Sequence, residues 1–332
     1  MHNQHMKNTH VYQPRYIKTF LGSALTEKRK QLEKIFTSCS LCPWNCAVNR
    51  EEDEKGRCRA GKELMVAKAL PHFGEEPVLT GARGSGTIFF THCHLQCTFC
   101  QNYQISQENR GRKITPDELA LIMLDLQEQG CHNINLVSPT HFLPRIVAAL
   151  EIAIPAGLSL PLVYNSNGYE RAETLKLLDG IIDIYLPDAK YRDDDLAQSF
   201  SRAKEYSRYN LSSLQEMYRQ VGTLLINQYG IAEQGLIIRH LVLPHHLQNT
   251  RDVLKSLKDL LGSKIHISLM GQYFPTHGGL HNPYLNRRLT AEEYQEAISF
   301  LEEMGFDNGW LQEPDTVDKS FIPDFTKDGS WN

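Results

Sequence analysis

From Thr87 onward the chain alternates short, nearly continuous apolar runs with stretches whose apolar positions recur every three or four residues. The first pattern predicts strands buried on both faces and the second predicts amphipathic helices. The runs predict strands over Thr87–Phe90, Asn133–Val137, Leu160–Tyr164, Ile181–Leu186, Leu236–Leu243 and Ile265–Met270. Between and after them, helices are predicted over Pro116–Gln129, Leu143–Ala153, Arg171–Leu178, Asp194–Lys204, Thr250–Leu261 and Ala291–Met304, with a mostly helical insertion over Leu211–Tyr229. The first helix opens on Thr115-Pro116-Asp117-Glu118, where Thr115 caps, Pro116 takes the first helical position and Glu118 reaches back. Six strand–helix units predict an α/β fold with a parallel sheet, a partial (β/α)6 barrel two units short of the eight-unit closed form. Ligands then gather at the carboxyl ends of the strands.

Residues 1–80 show little periodicity beyond a predicted helix at Thr26–Phe36, and read as a small Cys-rich N-terminal region ahead of the barrel (81–305) and a tail (306–332) rich in Asp, Pro and aromatics. The 332 residues, 41% hydrophobic and 22% charged, are enough to bury a sizeable core. A net charge of −4 without a basic stripe argues against nucleic acid or an anionic membrane as partner. The best apolar run, Ile146–Ile154, is too short to span a bilayer, and Met1–His10 lacks the pattern of a signal peptide, so a cytoplasmic location is expected.

In a reducing compartment eight Cys need another explanation than disulfides. Cys93, Cys97 and Cys100 fall within eight residues directly after the first barrel strand. Three thiolates there can hold a metal centre: zinc or a redox loop is one reading, but structural zinc normally takes four protein ligands, whereas a [4Fe–4S] cluster on three Cys keeps one iron open for an outside ligand. Cys39, Cys42, Cys46 and Cys58 supply four further thiols in 20 residues, a set that suits zinc or an Fe–S cluster equally and serves as a structural staple or an electron relay. Cys131 stands alone and reads as a core residue.

The spacing C-x3-C-x2-C, with Phe99 before the last Cys and Gln101-Asn102 after it, resembles the signature of the radical S-adenosylmethionine (radical SAM) superfamily over roughly residues 84–300. The resemblance implies that S-adenosylmethionine chelates the open iron and that reductive cleavage of its sulfonium gives a 5′-deoxyadenosyl radical that abstracts hydrogen. Within the superfamily the chain is similar to the branch containing the pyruvate formate-lyase activating enzyme. That likeness implies Phe99 at the adenine end of the cofactor. It also implies that the methionyl amino group is held by Ser138 or Thr140, standing where the branch carries Gly-Gly-Glu, or by carbonyl oxygens, since Pro139 between them offers no backbone donor. Asn165-Ser166-Asn167-Gly168 matches a T-N-G-type motif and Asp188-Ala189-Lys190 a D-x-K, which implies cofactor contacts by Asn165, Asn167, Asp188 and Lys190. Arg239 and, at the end of the last strand, Gln272 and Tyr273 are further implied contacts.

Pro43-Trp44-Asn45, Val48-Asn49-Arg50, Gly74-Glu75-Glu76-Pro77 and Arg83-Gly84-Ser85-Gly86 closely resemble an uncharacterised pyruvate formate-lyase-activating-like subfamily with this N-terminal Cys group. The expected activity is thus radical SAM chemistry, fed by a flavodoxin- or ferredoxin-type electron donor. Its target is the backbone glycine of a glycyl-radical enzyme, or alternatively a small molecule or peptide; a non-catalytic Fe–S or zinc scaffold is the third reading. His141, His240, His245 and His246 near strand ends are candidate proton carriers whose default is a satisfied or solvent-facing ring. Gly81–Gly86 reads as a turn, and His277-Gly278-Gly279 as a lid over the barrel mouth. No HExxH pair or nucleophile elbow is visible.

Overall fold

The apolar runs become the strands of one large sheet in the computed structural model, which describes residues 12–312 and Phe325. Helices α1 (Arg15–Leu21) and α2 (Ala24–Phe36) lead into an irregular Cys-bearing loop and strand β1 (Leu64–His72). A short helix α3 (Pro77–Thr80) precedes β2 (Ser85–Phe90), and α4 (Tyr103–Ser106) follows the second Cys group. Then come β3 (Arg112–Ile114), α5 (Pro116–Glu128), β4 (Ile134–Val137), α6 (Leu143–Ala153), β5 (Leu162–Ser166), α7 (Ala172–Lys176) and β6 (Ile184–Pro187). Helix α8 (Asp194–Ser201) follows β6, and α9 (Tyr206–Val221) with a two-residue strand β7 (Leu225–Ile226) spans the insertion. The chain closes with β8 (Ala232–Leu241), α10 (Leu247–Leu261), β9 (His266–Met270), α11 (Ala291–Glu303) and β10 (Gly309–Gln312).

Among the described residues seven strands run parallel in the spatial order β2-β4-β5-β6-β8-β9-β10, and the sheet does not close. The partial barrel of six strand–helix units is therefore present, with β10 as a seventh parallel strand that the hydrophobic pattern did not announce. Its four residues alternate between exposed and half-buried, so Gly309-Trp310-Leu311-Gln312 carries no apolar run. At the other edge β1 pairs antiparallel with β2 and β3, so the sheet begins inside the region read as a separate Cys-rich segment. The tail beyond Gln312 lies, apart from Phe325, outside the described residues.

Strand interiors carry the core: Ile88, Phe90, Ile134, Leu136, Leu162, Tyr164, Tyr185 and Ile238 are all at most 1% exposed and pack against Leu119, Met123, Ile146 and Leu150 of the covering helices. Each fully buried side chain of this kind contributes roughly 1.5–3 kcal/mol. Thr115 and Glu118 form the expected reciprocal cap at the start of α5, and Thr290 and Glu293 form another at α11. Strand β5 runs later than its apolar letters, through Asn165 and Ser166, because these polar residues face the cavity at the carboxyl end rather than water. Strand β6 starts late because Asp183 instead receives hydrogen bonds from the backbone of Leu162 and Arg15 and from the Tyr12 hydroxyl. That cluster also fastens the entry to α1, a helix the sequence reading did not include. No helix among the described residues is long and apolar enough to cross a membrane.

Candidate active site

All seven parallel strands end on one cavity of about 300 Å³. Phe90, Val137, Ser166, Leu241, Met270 and Gln312 line it from the ends of β2, β4, β5, β8, β9 and β10, and Asp188 follows β6 directly. Cys93, Cys97 and Cys100, on the loop after β2, line the same cavity. Each sulfur has one neutral polar neighbour: Asn167 Nδ2 donates to Cys93 Sγ at 3.4 Å, Ser201 Oγ donates to Cys97 Sγ at 3.0 Å, and Ser106 Oγ lies 3.2 Å from Cys100 Sγ. Burial pushes the Cys93 thiol up to about 12 and Cys100 to about 11, and neighbouring sulfurs add to both shifts; burial also raises Cys97, against the pull of Lys190. Three crowded, half-buried thiols therefore resist ionisation unless a positive centre sits among them, and a polynuclear iron centre would supply that charge. The donor set, three thiols on a short loop with dipoles aimed at the sulfurs, fits a [4Fe–4S] cluster.

Around the thiols the backbone is shaped to its purpose. Gly168, at φ +71°, has no room for a side chain, since a Cβ would meet the Asp188 carbonyl oxygen at 1.9 Å. Its neighbour Asn167 accepts from the Tyr169 amide, which aims the amide nitrogen at Cys93. Lys190 Nζ lies 2.6 Å from Asp188 Oδ2. Burial works against the lysine charge, but Asp188 and Cys97 outweigh it and hold the ammonium above its usual range. Ser138 sits in the left-handed region at φ +55°, its amide bound to the Asn165 carbonyl, and faces the cavity together with Asn165 and Gln272. Phe99 stands edge-on to Tyr273, 5.9 Å between centroids. His277 stacks on Tyr103 at 4.6 Å and the Gly279 amide binds the Thr98 carbonyl, so the Gly-rich loop rests on the Cys loop.

Other expected contacts fall elsewhere. Thr140 is fully buried off the cavity, donating to Glu170 Oε1 at 2.7 Å and accepting from Tyr164, because its helical turn points the hydroxyl behind β5. Tyr273 spends its hydroxyl on the Leu285 carbonyl. Arg239 reaches the cavity wall, but its Nε and Nη2 bind Glu76, and Nη2 also binds Glu75. His141 and His240 are buried with their rings bound to backbone carbonyls, and His245 pairs with Arg287. Cys131 is packed in the main core. Sequence reading missed Ser106 and Ser201, which no local motif marks. It also gave no role to Glu75, although the Gly-Glu-Glu-Pro stretch was visible.

The four N-terminal Cys lie on the irregular loop between α2 and β1. Cys42 is within electrostatic reach of Cys39 and Cys58, and Cys58 of Cys39 and Cys46. The Arg57 amide donates to Cys46 Sγ at 3.2 Å, and an added Cβ at Gly56 would come within 2.9 Å of that sulfur. Burial raises the Cys42 and Cys58 thiols. Among the described residues no three Cys, His, Asp or Glu side chains converge on the point of a single metal ion. Arg50, fully buried behind the motif, donates to the carbonyls of Gly61 and His141 and lies 4.2 Å over the Phe36 ring.

Residues 87–230 match the pattern of the Radical SAM superfamily. The chain is 33% identical over 285 residues to an uncharacterized protein of Methanocaldococcus jannaschii, covering 83% of this chain and 77% of the relative. Among solved structures it is similar to a domain of a pyruvate-formate lyase-activating enzyme from Bacteroides vulgatus (TM-score 0.35, 15% identity, 60% of this chain and 91% of that one). It is also similar to methylornithine synthase (TM-score 0.44, 12% identity, 88% of this chain and 74% of that one).

Proposed function

The chain belongs to the radical SAM superfamily, and from that premise we propose that it abstracts hydrogen from a substrate bound in the cavity where its seven strands end. When bound, a reduced [4Fe–4S] cluster on Cys93, Cys97 and Cys100 supplies the electron that splits S-adenosylmethionine into methionine and a hydrogen-abstracting 5′-deoxyadenosyl radical. The observation that carries this reading is the meeting of all three sulfurs, each beside a polar neighbour, with the Asp188–Lys190 pair in a single cavity.

The chain's own residues bind, orient and exclude water. Lys190, oriented by Asp188, offers a point charge to the methionyl carboxylate, while Asp188 accepts from ribose hydroxyls. Asn165, Asn167 and Gln272 add polar contacts, and Ser138 takes the place of a Gly-Gly-Glu turn at the amino group. Phe99, backed by Tyr273, forms the adenine wall. The loop pinned by Tyr103–His277 and Thr98–Gly279 screens the sulfurs from solvent. A non-catalytic scaffold would need no such polar cavity, which favours the enzyme.

Two target classes follow from the motifs: a glycine in a partner glycyl-radical enzyme, and a small molecule or peptide. The cluster needs one electron per turnover, which a flavodoxin or ferredoxin would supply. A second metal, zinc or Fe–S, on the four N-terminal Cys would require them to draw together, since no three of them converge on the point of a single ion. The test is formation of 5′-deoxyadenosine by anaerobically reconstituted, reduced protein, with Cys97→Ala as its control.

A further inference from the structure

Where the Cys loop meets the end of α8 it comes close to solvent beside a group of unpaired cations. The Gln96 and Thr98 amides donate to the Ser201 and Phe200 carbonyls at 3.3 and 2.8 Å, and Ser201 Oγ donates to Cys97 Sγ at 3.0 Å. Arg202 comes next in the chain; it is exposed, and its Nη1 donates to Gln96 Oε1 at 3.3 Å. Ser201 alone therefore stands between an exposed arginine and one of the three sulfurs. Lys204 is exposed too, and its carbonyl accepts from the Tyr169 hydroxyl, whose ring meets Trp44 edge-on at 6.1 Å. Trp44 is half-buried, donates to the His94 carbonyl and carries the Arg57 guanidinium 4.7 Å over its ring. Arg57 Nε is buried without a hydrogen-bond partner, Arg202 meets a neutral amide, and Glu205, the acid beside Lys204, is taken by Arg208 at 2.9 Å. Among the described residues no carboxylate pairs with Arg57, Arg202 or Lys204, on a chain whose net charge is −4. The Trp44 and Tyr169 rings stand between Arg57 and Lys204, so the charges are spread over a surface, which suits a macromolecular partner more than a small anion.

We propose that this patch is the docking face for the protein that reduces the cluster, an acidic one-electron carrier. This rests on the reading that Cys93, Cys97 and Cys100 hold a [4Fe–4S] cluster that cleaves S-adenosylmethionine. One electron passes from the reduced carrier to the oxidised cluster; the carrier is oxidised, the cluster is reduced, no bond forms or breaks and no proton is needed. Carboxylates of the carrier meet Arg57, Arg202 and Lys204, which steer it to this spot on a chain that elsewhere repels acidic proteins. Trp44 supplies an aromatic anchor of the kind such interfaces favour. Docking here brings the carrier to the Ser201–Cys97 contact from outside the cavity, so the electron enters while S-adenosylmethionine and substrate stay screened from water.

The test is calorimetric binding of an acidic flavodoxin and an acidic ferredoxin, both oxidised, to the full reconstituted chain. Beside it, 5′-deoxyadenosine formation is driven by the same carriers in reduced form or by dithionite. The variant is Arg202→Asn with Lys204→Glu, since Asn accepts the left-handed φ of +56° at position 202. At least one carrier should bind the wild type, and its affinity should fall about tenfold or more in the variant and in about 0.5 M salt. The carrier-driven rate at subsaturating carrier should fall with it, while the dithionite-driven rate is unchanged. Binding of neither carrier, binding that variant and salt leave unaltered, or a short single-stranded oligonucleotide preferred over both carriers overturns the proposal. If the double variant does not fold, Lys204→Glu alone decides, because the face requires it to weaken the carrier, and an unaltered affinity refutes the face. Charge-dependent carrier binding without 5′-deoxyadenosine from any reductant would refute the proposed catalysis and leave the docking face standing. Product from dithionite, with carriers indifferent to the variant, would do the reverse.

Discussion

Trp44 Nε1 donates a hydrogen bond to the backbone oxygen of His94 at 2.7 Å, so the indole inside the N-terminal Cys group holds the loop that carries Cys93 and Cys97. The same ring meets Tyr169 edge-on at 6.1 Å and lies under the Arg57 guanidinium at 4.7 Å. Two Cys groups that are distant in sequence are thereby one mechanical unit. Trp44→Phe, which keeps a ring but strands the carbonyl, should lower stability by about 1–3 kcal/mol. Trp44→Ala should cost about 3–5 kcal/mol. Urea unfolding of the metal-free chain measures both, and absorbance of the reconstituted cluster should fall in the same order.

The two Cys groups should separate on substitution. Cys97→Ala should abolish 5′-deoxyadenosine formation, whereas Cys42→Ala should spare the product. Metal and sulfide counting beside the product assay reads both. Loss of product in Cys42→Ala, with iron retained on Cys93, Cys97 and Cys100, would give the N-terminal Cys group a part in the chemistry.

Arg239 is 14% exposed and Glu76 fully buried, so removing the cation strands two carboxylates in the interior. Arg239→Met should cost about 3–5 kcal/mol in urea unfolding of the metal-free chain. Arg239→Met with Glu76→Gln should recover part of that loss, because the carboxylate most deeply stranded is gone.

Glu170 Oε1 lies 3.9 Å from His94 Nε2, but the two do not form an ion pair at neutral pH. Burial pushes the Glu170 carboxyl up from 4.5 to about 8 and the His94 ring down to about 4, so both are uncharged. The folded carboxyl keeps its proton where the unfolded one has lost it. Its contribution to stability is therefore full below pH 4.5, declines as pH rises toward 8 and is constant beyond. The stability of the wild type relative to Glu170→Gln should fall by roughly 1.4 kcal/mol per pH unit across that window. The opposite trend from His94 is common to both proteins and cancels. Urea midpoints at several pH values check the slope.

What could be read in the letters depended on how local the signal was. The C-x3-C-x2-C spacing, Asp188–Lys190 and the six apolar strands are each written within about ten residues, and the structure gathers them at one end of the sheet. Ser201 meets Cys97 across 104 residues, and Glu75 meets Arg239 across 164, through packing that no short window records. Strands β1 and β10 escaped for a different reason: most of the residues of β1 are only half-buried and those of β10 alternate between exposed and half-buried, so neither needs a continuous apolar run. Thr140 shows the reverse error, where alignment to a family motif named a residue whose hydroxyl the local turn sends behind the strand to Glu170.

The central claim is that three sulfurs and the residues around them support reductive cleavage of S-adenosylmethionine. Its most direct measurement is chromatographic detection of 5′-deoxyadenosine and methionine after the chain, reconstituted with iron and sulfide without air, is reduced in the presence of S-adenosylmethionine. The account predicts both products in equal amounts from the wild type and neither from Cys97→Ala. A wild-type protein that carries its full cluster, accepts the electron and still leaves S-adenosylmethionine intact would contradict it.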